Sequence, residues 1–112
     1  MARIALYQPT TGIDPAANAA ALVRAAEEAA AGGAAMLFTP EMSGLLDRDS
    51  ARAAKSITGE DDDRVLAAMR EAAARLGLWI DLGSLAVRRD DAKLANRRFV
   101  LGPDGAIRAR YD

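Results

Sequence analysis

The sequence predicts an α/β sandwich in which a mixed sheet carries two main helices, with further antiparallel strands appended in the α+β manner. Three observations predict it. Two long, alanine-rich amphipathic stretches each end at glycine and run directly into a short apolar segment, the strand–helix–strand alternation of parallel sheets. The run Met36-Leu37-Phe38 has no polar alternation, as expected of a strand covered on both faces. From Gly83 onward, short β-type runs are separated by polar or Gly/Pro-containing turns, the pattern of an antiparallel meander.

Arg3 to Gln8 reads as the first strand, stopped by Pro9, with Thr10-Thr11-Gly12 as a turn. Asp14 suits a helix N-cap and Pro15 the first helical position. The helix predicted from there to Ala31 places Ala19, Leu22, Val23, Ala26 and Ala30 on one face, and Gly32-Gly33 stops it. The next strand should lie parallel to the first, joined by a right-handed crossover. A short helix is predicted within Gly44 to Ser56, where Leu45, Leu46 and an Ala-rich segment follow one another. A second long helix is marked by Thr58-Gly59-Glu60-Asp61-Asp62-Asp63, whose carboxylates suit the positive end of the helix dipole. Its buried face is Val65, Leu66, Met69, Ala72, Ala73 and Leu76, and Gly77 closes it. Leu78 to Leu82 is a third strand, and Gly83-Ser84 leads into a fourth over Leu85 to Val87. After the polar turn Arg88 to Lys93, Asn96 to Leu101 is a fifth and Ala106 to Tyr111 a sixth. Between these two, Pro103 and Gly105 fit positions i+1 and i+3 of a type I turn.

Composition narrows the function. The 112 residues suit one small domain, and 51% apolar with 28% charged residues marks a globular chain. A net charge of −1, from 15 basic and 16 acidic residues, argues against a nucleic-acid partner. No apolar run approaches the roughly 20 residues that span a bilayer, and the chain enters a strand at once, so neither membrane nor signal peptide is expected. The expected compartment is the cytoplasm. With no Cys and no His, disulfides, Cys/His metal sites, a Cys nucleophile and a His base are excluded within these residues. The acidic cluster lacks the alternating ligands and closing Glu of a calcium loop, so no metal is expected there. There is no Gly-x-Gly-x-x-Gly and no Walker-type Gly-Lys-Ser/Thr, which weighs against a nucleotide or flavin site, and no cofactor is expected.

The chemistry-bearing stretch is Phe38-Thr39-Pro40-Glu41-Met42-Ser43. Pro40 cannot donate to a ladder, so pairing should end near it and leave Glu41 at the carboxyl end of the second strand. Open α/β sheets bind ligands there. Glu41 is thus either a general base or acid, or an ordinary solvated loop carboxylate. Met42 and Ser43 follow it directly and would border a pocket.

Three motifs in this order, Arg3-Ile4-Ala5-Leu6-Tyr7-Gln8, Phe38-Thr39-Pro40-Glu41-Met42 and Asn96…Leu101-Gly102-Pro103-Asp104-Gly105…Tyr111, resemble the N-terminal part of the nitrilase superfamily, the carbon–nitrogen hydrolases. Within it the likeness is greatest to the Nit-type amidases. The resemblance implies an α-β-β-α sandwich and a Glu-Lys-Cys triad that cleaves a small-molecule amide or nitrile-type substrate through a thioester. Glu41 matches the triad glutamate. The Lys is expected just after Tyr111-Asp112 and the Cys some tens of residues later; Lys55 and Lys93 read as surface lysines. Gln8 and Asn96 match polar strand positions of the family and read as structural hydrogen-bonding groups. Residues 1–112 are therefore expected to be the N-terminal part of a single domain, incomplete at its C-terminus and inactive alone. Homo-oligomerisation is implied as well. The competing expectation is a non-catalytic module that acts through assembly.

Overall fold

The computed structural model describes residues 3–7, 12–41, 55, 57–91 and 93–112. Five strands form one mixed sheet: β1 (Ile4–Leu6), β2 (Met36–Phe38), β3 (Trp79–Arg88), β4 (Leu94–Leu101) and β5 (Ile107–Tyr111). Among the described residues two long helices accompany them, α1 (Pro15–Ala31) and α2 (Arg64–Leu76), with a 3-10 turn at Glu60–Asp62. The strands lie side by side in chain order. β1, β2 and β3 are parallel, and β3, β4 and β5 antiparallel. The expected mixed sheet with two main helices is what the chain forms.

Local chemistry sets the element ends. The Asp14 carboxylate accepts the Ala16 N–H at 3.0 Å, and Pro15 opens α1. At its far end Gly33 takes the left-handed conformation, φ 82°, and the Ala34 N–H returns to the Ala29 carbonyl at 2.9 Å, a Schellman closure. Asp63 caps α2 by accepting the Leu66 N–H at 2.9 Å, and burial pushes its carboxyl above the usual range. The acidic run is thus not the first turn of that helix: Glu60, Asp61 and Asp62 form the separate 3-10 turn, and only Asp63 caps. The Gly105 N–H closes on the Gly102 carbonyl at 2.9 Å, the expected i to i+3 turn bond.

Both helices pack on one face of the sheet. Leu22 and Ala26 of α1 and Val65, Leu66, Met69 and Ala73 of α2 meet Leu37, Ile80, Leu82, Leu85, Val87, Phe99 and Leu101 in a single core. The register puts Leu37 opposite Ile80, and Ile80 opposite Leu101, so these side chains share the helix-covered face. The α1 stripe is rotated slightly from expectation: Ala25 and Ala29 are buried with Ala19, Leu22 and Ala26, while Val23 packs at its margin. The opposite face carries Ile4, Leu6, Trp79 and Tyr111, with Leu6 72% and Tyr111 60% exposed. Among the described residues nothing covers it.

One difference reshapes the sheet. The predicted third and fourth strands are a single strand, β3, and Gly83-Ser84 is an irregularity inside it. Between the Leu82–Phe99 and Leu85–Arg97 pairs, β3 holds one residue more than β4. An extra residue leaves a strand continuous but bent, so among the described residues the sheet has five strands and not six.

Candidate active site

β2 delivers Glu41 at the carboxyl end of the parallel strands, three residues past Phe38. Its approach is held by β3. The Thr39 N–H donates to the Asp81 carbonyl at 3.0 Å, continuing the ladder by one residue, and Pro40 then ends it. Thr39 is buried, and its Oγ1 accepts the Gly83 N–H at 3.2 Å. The Thr39–Pro40 peptide lies directly on Gly83: a Cβ there would stand 2.3 Å from the Thr39 carbonyl oxygen and 2.4 Å from the Pro40 carbonyl carbon. The irregularity in β3 thus faces the residues that carry Glu41.

The Glu41 side chain is exposed. Beside it, on the face that no helix covers, Arg98 of β4 grips Asp81 of β3 with a two-pronged fork, Nε to Oδ1 at 2.8 Å and Nη2 to Oδ2. Asp81 is nearly enclosed, its side chain 8% exposed, whereas Arg98 is 48% exposed. The fork is the main reason the Arg98 guanidinium holds its proton more tightly than usual; the negative charge of the Glu41 carboxylate acts in the same direction. The register sets Arg98 opposite Tyr111 of β5.

A second polar cluster lies at the same end on the helix side. Glu60 accepts from Arg110 at 2.8 Å on both oxygens and from Arg97 at 3.3 Å, and Arg97 also donates to Asp112 at 2.6 and 3.1 Å. These residues line a charged cleft of about 630 Å³, and a smaller one of about 360 Å³ lies among Pro15, Thr58, Asp63, Val65 and Leu85. Glu41 lines neither. No group of three or more Asp or Glu among the described residues is arranged to hold a metal ion, and no helix described is long and apolar enough to cross a membrane.

Of the residues singled out in the sequence, Glu41 stands where expected along the chain, at the exit of β2. Met42, Ser43, Gln8 and the short helix predicted within Gly44 to Ser56 lie outside the described residues, Lys55 excepted. Lys55 and Lys93 are exposed, and Asn96 is an exposed position of β4 opposite Ala86. The sequence reading missed Asp81, Gly83 and Arg98. The signal for Asp81 was available: a lone carboxylate inside the apolar run Leu78 to Leu82 needs a partner if that run is a buried strand.

The sequence pattern of the carbon–nitrogen hydrolases matches residues 3–112. The chain belongs to the carbon–nitrogen hydrolase family. It is 30% identical over 110 residues to the nitrilase and fragile histidine triad fusion protein NitFhit of Drosophila melanogaster, covering 98% of this chain and 24% of that protein. It matches the crystal structure of the C. elegans NitFhit protein with a TM-score of 0.84 and 26% identity, over 99% of this chain and 28% of that one. An amidase from Nesterenkonia sp. AN1 matches equally, TM-score 0.84 and 26% identity, over 99% of this chain and 43% of that one. A further structure of that amidase, with glutamine in place of a glutamate, shows the Michael addition of acrylamide at its active-site cysteine. The carbon–nitrogen hydrolase chain described here therefore spans less than half the length of each of these relatives. Its mixed sheet and two helices have the fold of the nitrilase-superfamily amidases.

Proposed function

We propose that this chain is the N-terminal part of a single carbon–nitrogen hydrolase domain and supplies Glu41 as the general base of an amidase. The observation that carries the reading is the position of Glu41: it leaves β2 on a peptide anchored to β3, and its carboxylate acts on Arg98, which pairs in register with Tyr111 at the end of β5. The active-site cysteine named for the Nesterenkonia amidase supports the thiol chemistry.

In the proposed reaction the Cys and Lys come from outside residues 1–112. Glu41 takes the thiol proton, and the thiolate attacks the amide carbonyl. The Lys ammonium stabilises the oxyanion. Collapse breaks the C–N bond, Glu41 returns the proton to the leaving ammonia, and a thioester remains. Glu41 then deprotonates the water that attacks the thioester, the C–S bond breaks, and Glu41 hands that proton to the leaving thiolate. Met42 and Ser43 border the substrate, a small-molecule amide or nitrile-type compound. The protein acts as a homo-oligomer in the cytoplasm, and residues 1–112 alone are inactive.

In the full-length protein Glu41→Gln should lower kcat for amide hydrolysis by at least about 10³-fold, in the range that positioned acid–base groups supply. Normal turnover by that variant refutes the reading. The second reading, a non-catalytic module acting through assembly, is recommended by the open sheet face at Ile4, Leu6, Trp79 and Tyr111, and a full-length parent that hydrolyses no amide at all would favour it.

A further inference from the structure

Two glycines serve the chain by their backbone freedom at helix ends, Gly33 at φ 82° and Gly77 at φ 62°. Gly83 is different. Its backbone is not left-handed, so any residue could adopt it. What forbids a side chain is contact. The atoms a Cβ would meet at 2.3 to 2.5 Å are all main-chain atoms of Thr39 and Pro40, none the movable tip of a side chain. The extra residue of β3 falls at this point, the Gly83 N–H is bound to Thr39 Oγ1 at 3.2 Å, and Glu41 follows Pro40 directly.

We infer that the Gly83 irregularity and the Thr39 hydroxyl form a positioning device that sets where Glu41 leaves the sheet. The inference rests on the reading of Glu41 as the base. A glycine in a strand often marks close approach of another backbone, and an irregular strand often re-aims a side chain. Both occur here against the same peptide. Thr39 and Gly83 touch no reacting atom; they act through the peptide that precedes the base.

The displacement can be estimated. Ordinary Cβ contacts begin at 3.4 Å, so an alanine at 83 obliges the Thr39–Pro40 peptide to retreat by about 1 Å. A misplacement of that size costs a reaction about 10²-fold. Loss of the Thr39 hydroxyl removes its hydrogen bond with the Gly83 N–H with almost no change of volume, a smaller disturbance of the same exit.

The test uses the full-length enzyme with Gly83→Ala, Thr39→Val, Thr39→Ser, Gly77→Ala and Glu41→Gln. kcat, KM and melting temperature are measured for each on a small amide. Gly83→Ala should lower kcat about 10²-fold and Thr39→Val about 10-fold, each with KM within about threefold of the parent. Thr39→Ser, which keeps the oxygen, should recover kcat to within about threefold. Gly77→Ala meets nothing within 4 Å and strains only the end of α2, so it should lower the melting temperature and leave kcat unchanged. If Gly83→Ala does not fold, the Thr39 pair decides. Thr39→Val with the parental kcat, or Thr39→Ser as impaired as Thr39→Val, overturns the inference. An inactive Glu41→Gln beside a fully active Thr39→Val leaves the base assigned and removes only the positioning role. An active Glu41→Gln removes the assignment of the base, and the positioning role with it.

Discussion

Replacing Arg98 by methionine should expose how much the Asp81 fork contributes. Methionine keeps length and apolar bulk but has no donors. Asp81 is then left with its carboxylate almost enclosed and its two forked bonds lost. Breaking a fully buried pair costs about 3–5 kcal/mol, whereas exposed pairs contribute about 0–1 kcal/mol. Here one partner is buried and the other half exposed, so solvent screens the Arg98 side and the expected cost is about 2 kcal/mol. With a typical urea dependence, that moves the unfolding midpoint by about 1 M. The measurement is urea unfolding of the full-length protein carrying Arg98→Met, Asp81→Asn and both. In the Asp81→Asn background no charge remains to be stranded, and Arg98→Met should cost under about 0.5 kcal/mol. An Arg98→Met cost below about 0.5 kcal/mol on its own, or equal costs in both backgrounds, would refute the reasoning. If another layer covers that sheet face, the cost should rise toward the upper range, because Arg98 would then lose its water as well.

Two other outcomes follow from the core and from the charged cluster. Glu60 is held below the ordinary value of 4.5, first by the Arg110 hydrogen bond and then by Arg97, against the opposing effect of burial. A carboxylate depressed in the folded state contributes stability that is complete above its unfolded value and is lost as pH falls through its folded one. The stability difference between the parent and Glu60→Gln should therefore be full at neutral pH and shrink as the pH falls below 4.5; a difference independent of pH would contradict the role given to Glu60. Met69 is 0% exposed between α2 and the sheet, and Met69→Ala should cost about 2–5 kcal/mol in denaturant unfolding, with less than about 1 kcal/mol showing that the site collapses around the gap.

The parts of the fold that were legible in the sequence are those whose causes are local. Asp14, Pro15 and Gly33 mark the ends of α1, Gly77 ends α2, and Gly102 to Gly105 forms its turn, each within a few residues of the element it shapes. The position of Glu41 was legible for the same reason, because Pro40 alone dictates where pairing stops. What was not legible depends on partners far along the chain. Gly83-Ser84 reads as a break between strands because a glycine in a strand pattern has two meanings, and only the peptide of Thr39 and Pro40, more than forty residues earlier, selects the second. The acidic run reads as helix-start electrostatics, yet Glu60 turns to Arg97 and Arg110, 37 and 50 residues distant. Nothing local marks Arg98 either; only the β3–β4 register sets it beside Asp81.

That register has a safeguard in two adjacent arginines. Arg97 reaches Glu60 and Asp112 on the side of the helices, while Arg98 reaches Asp81 on the other. If the β4–β5 pair slid by one residue along β3, every side chain of β4 would change sides, and Arg97 would leave Glu60 in the same step in which Arg98 left Asp81. The mispaired sheet would bury Asp81 without a counter-ion and present Arg98 to the apolar core. A single frameshift in pairing therefore meets two penalties on opposite surfaces, which makes this hairpin intolerant of slippage at the strand that faces Glu41.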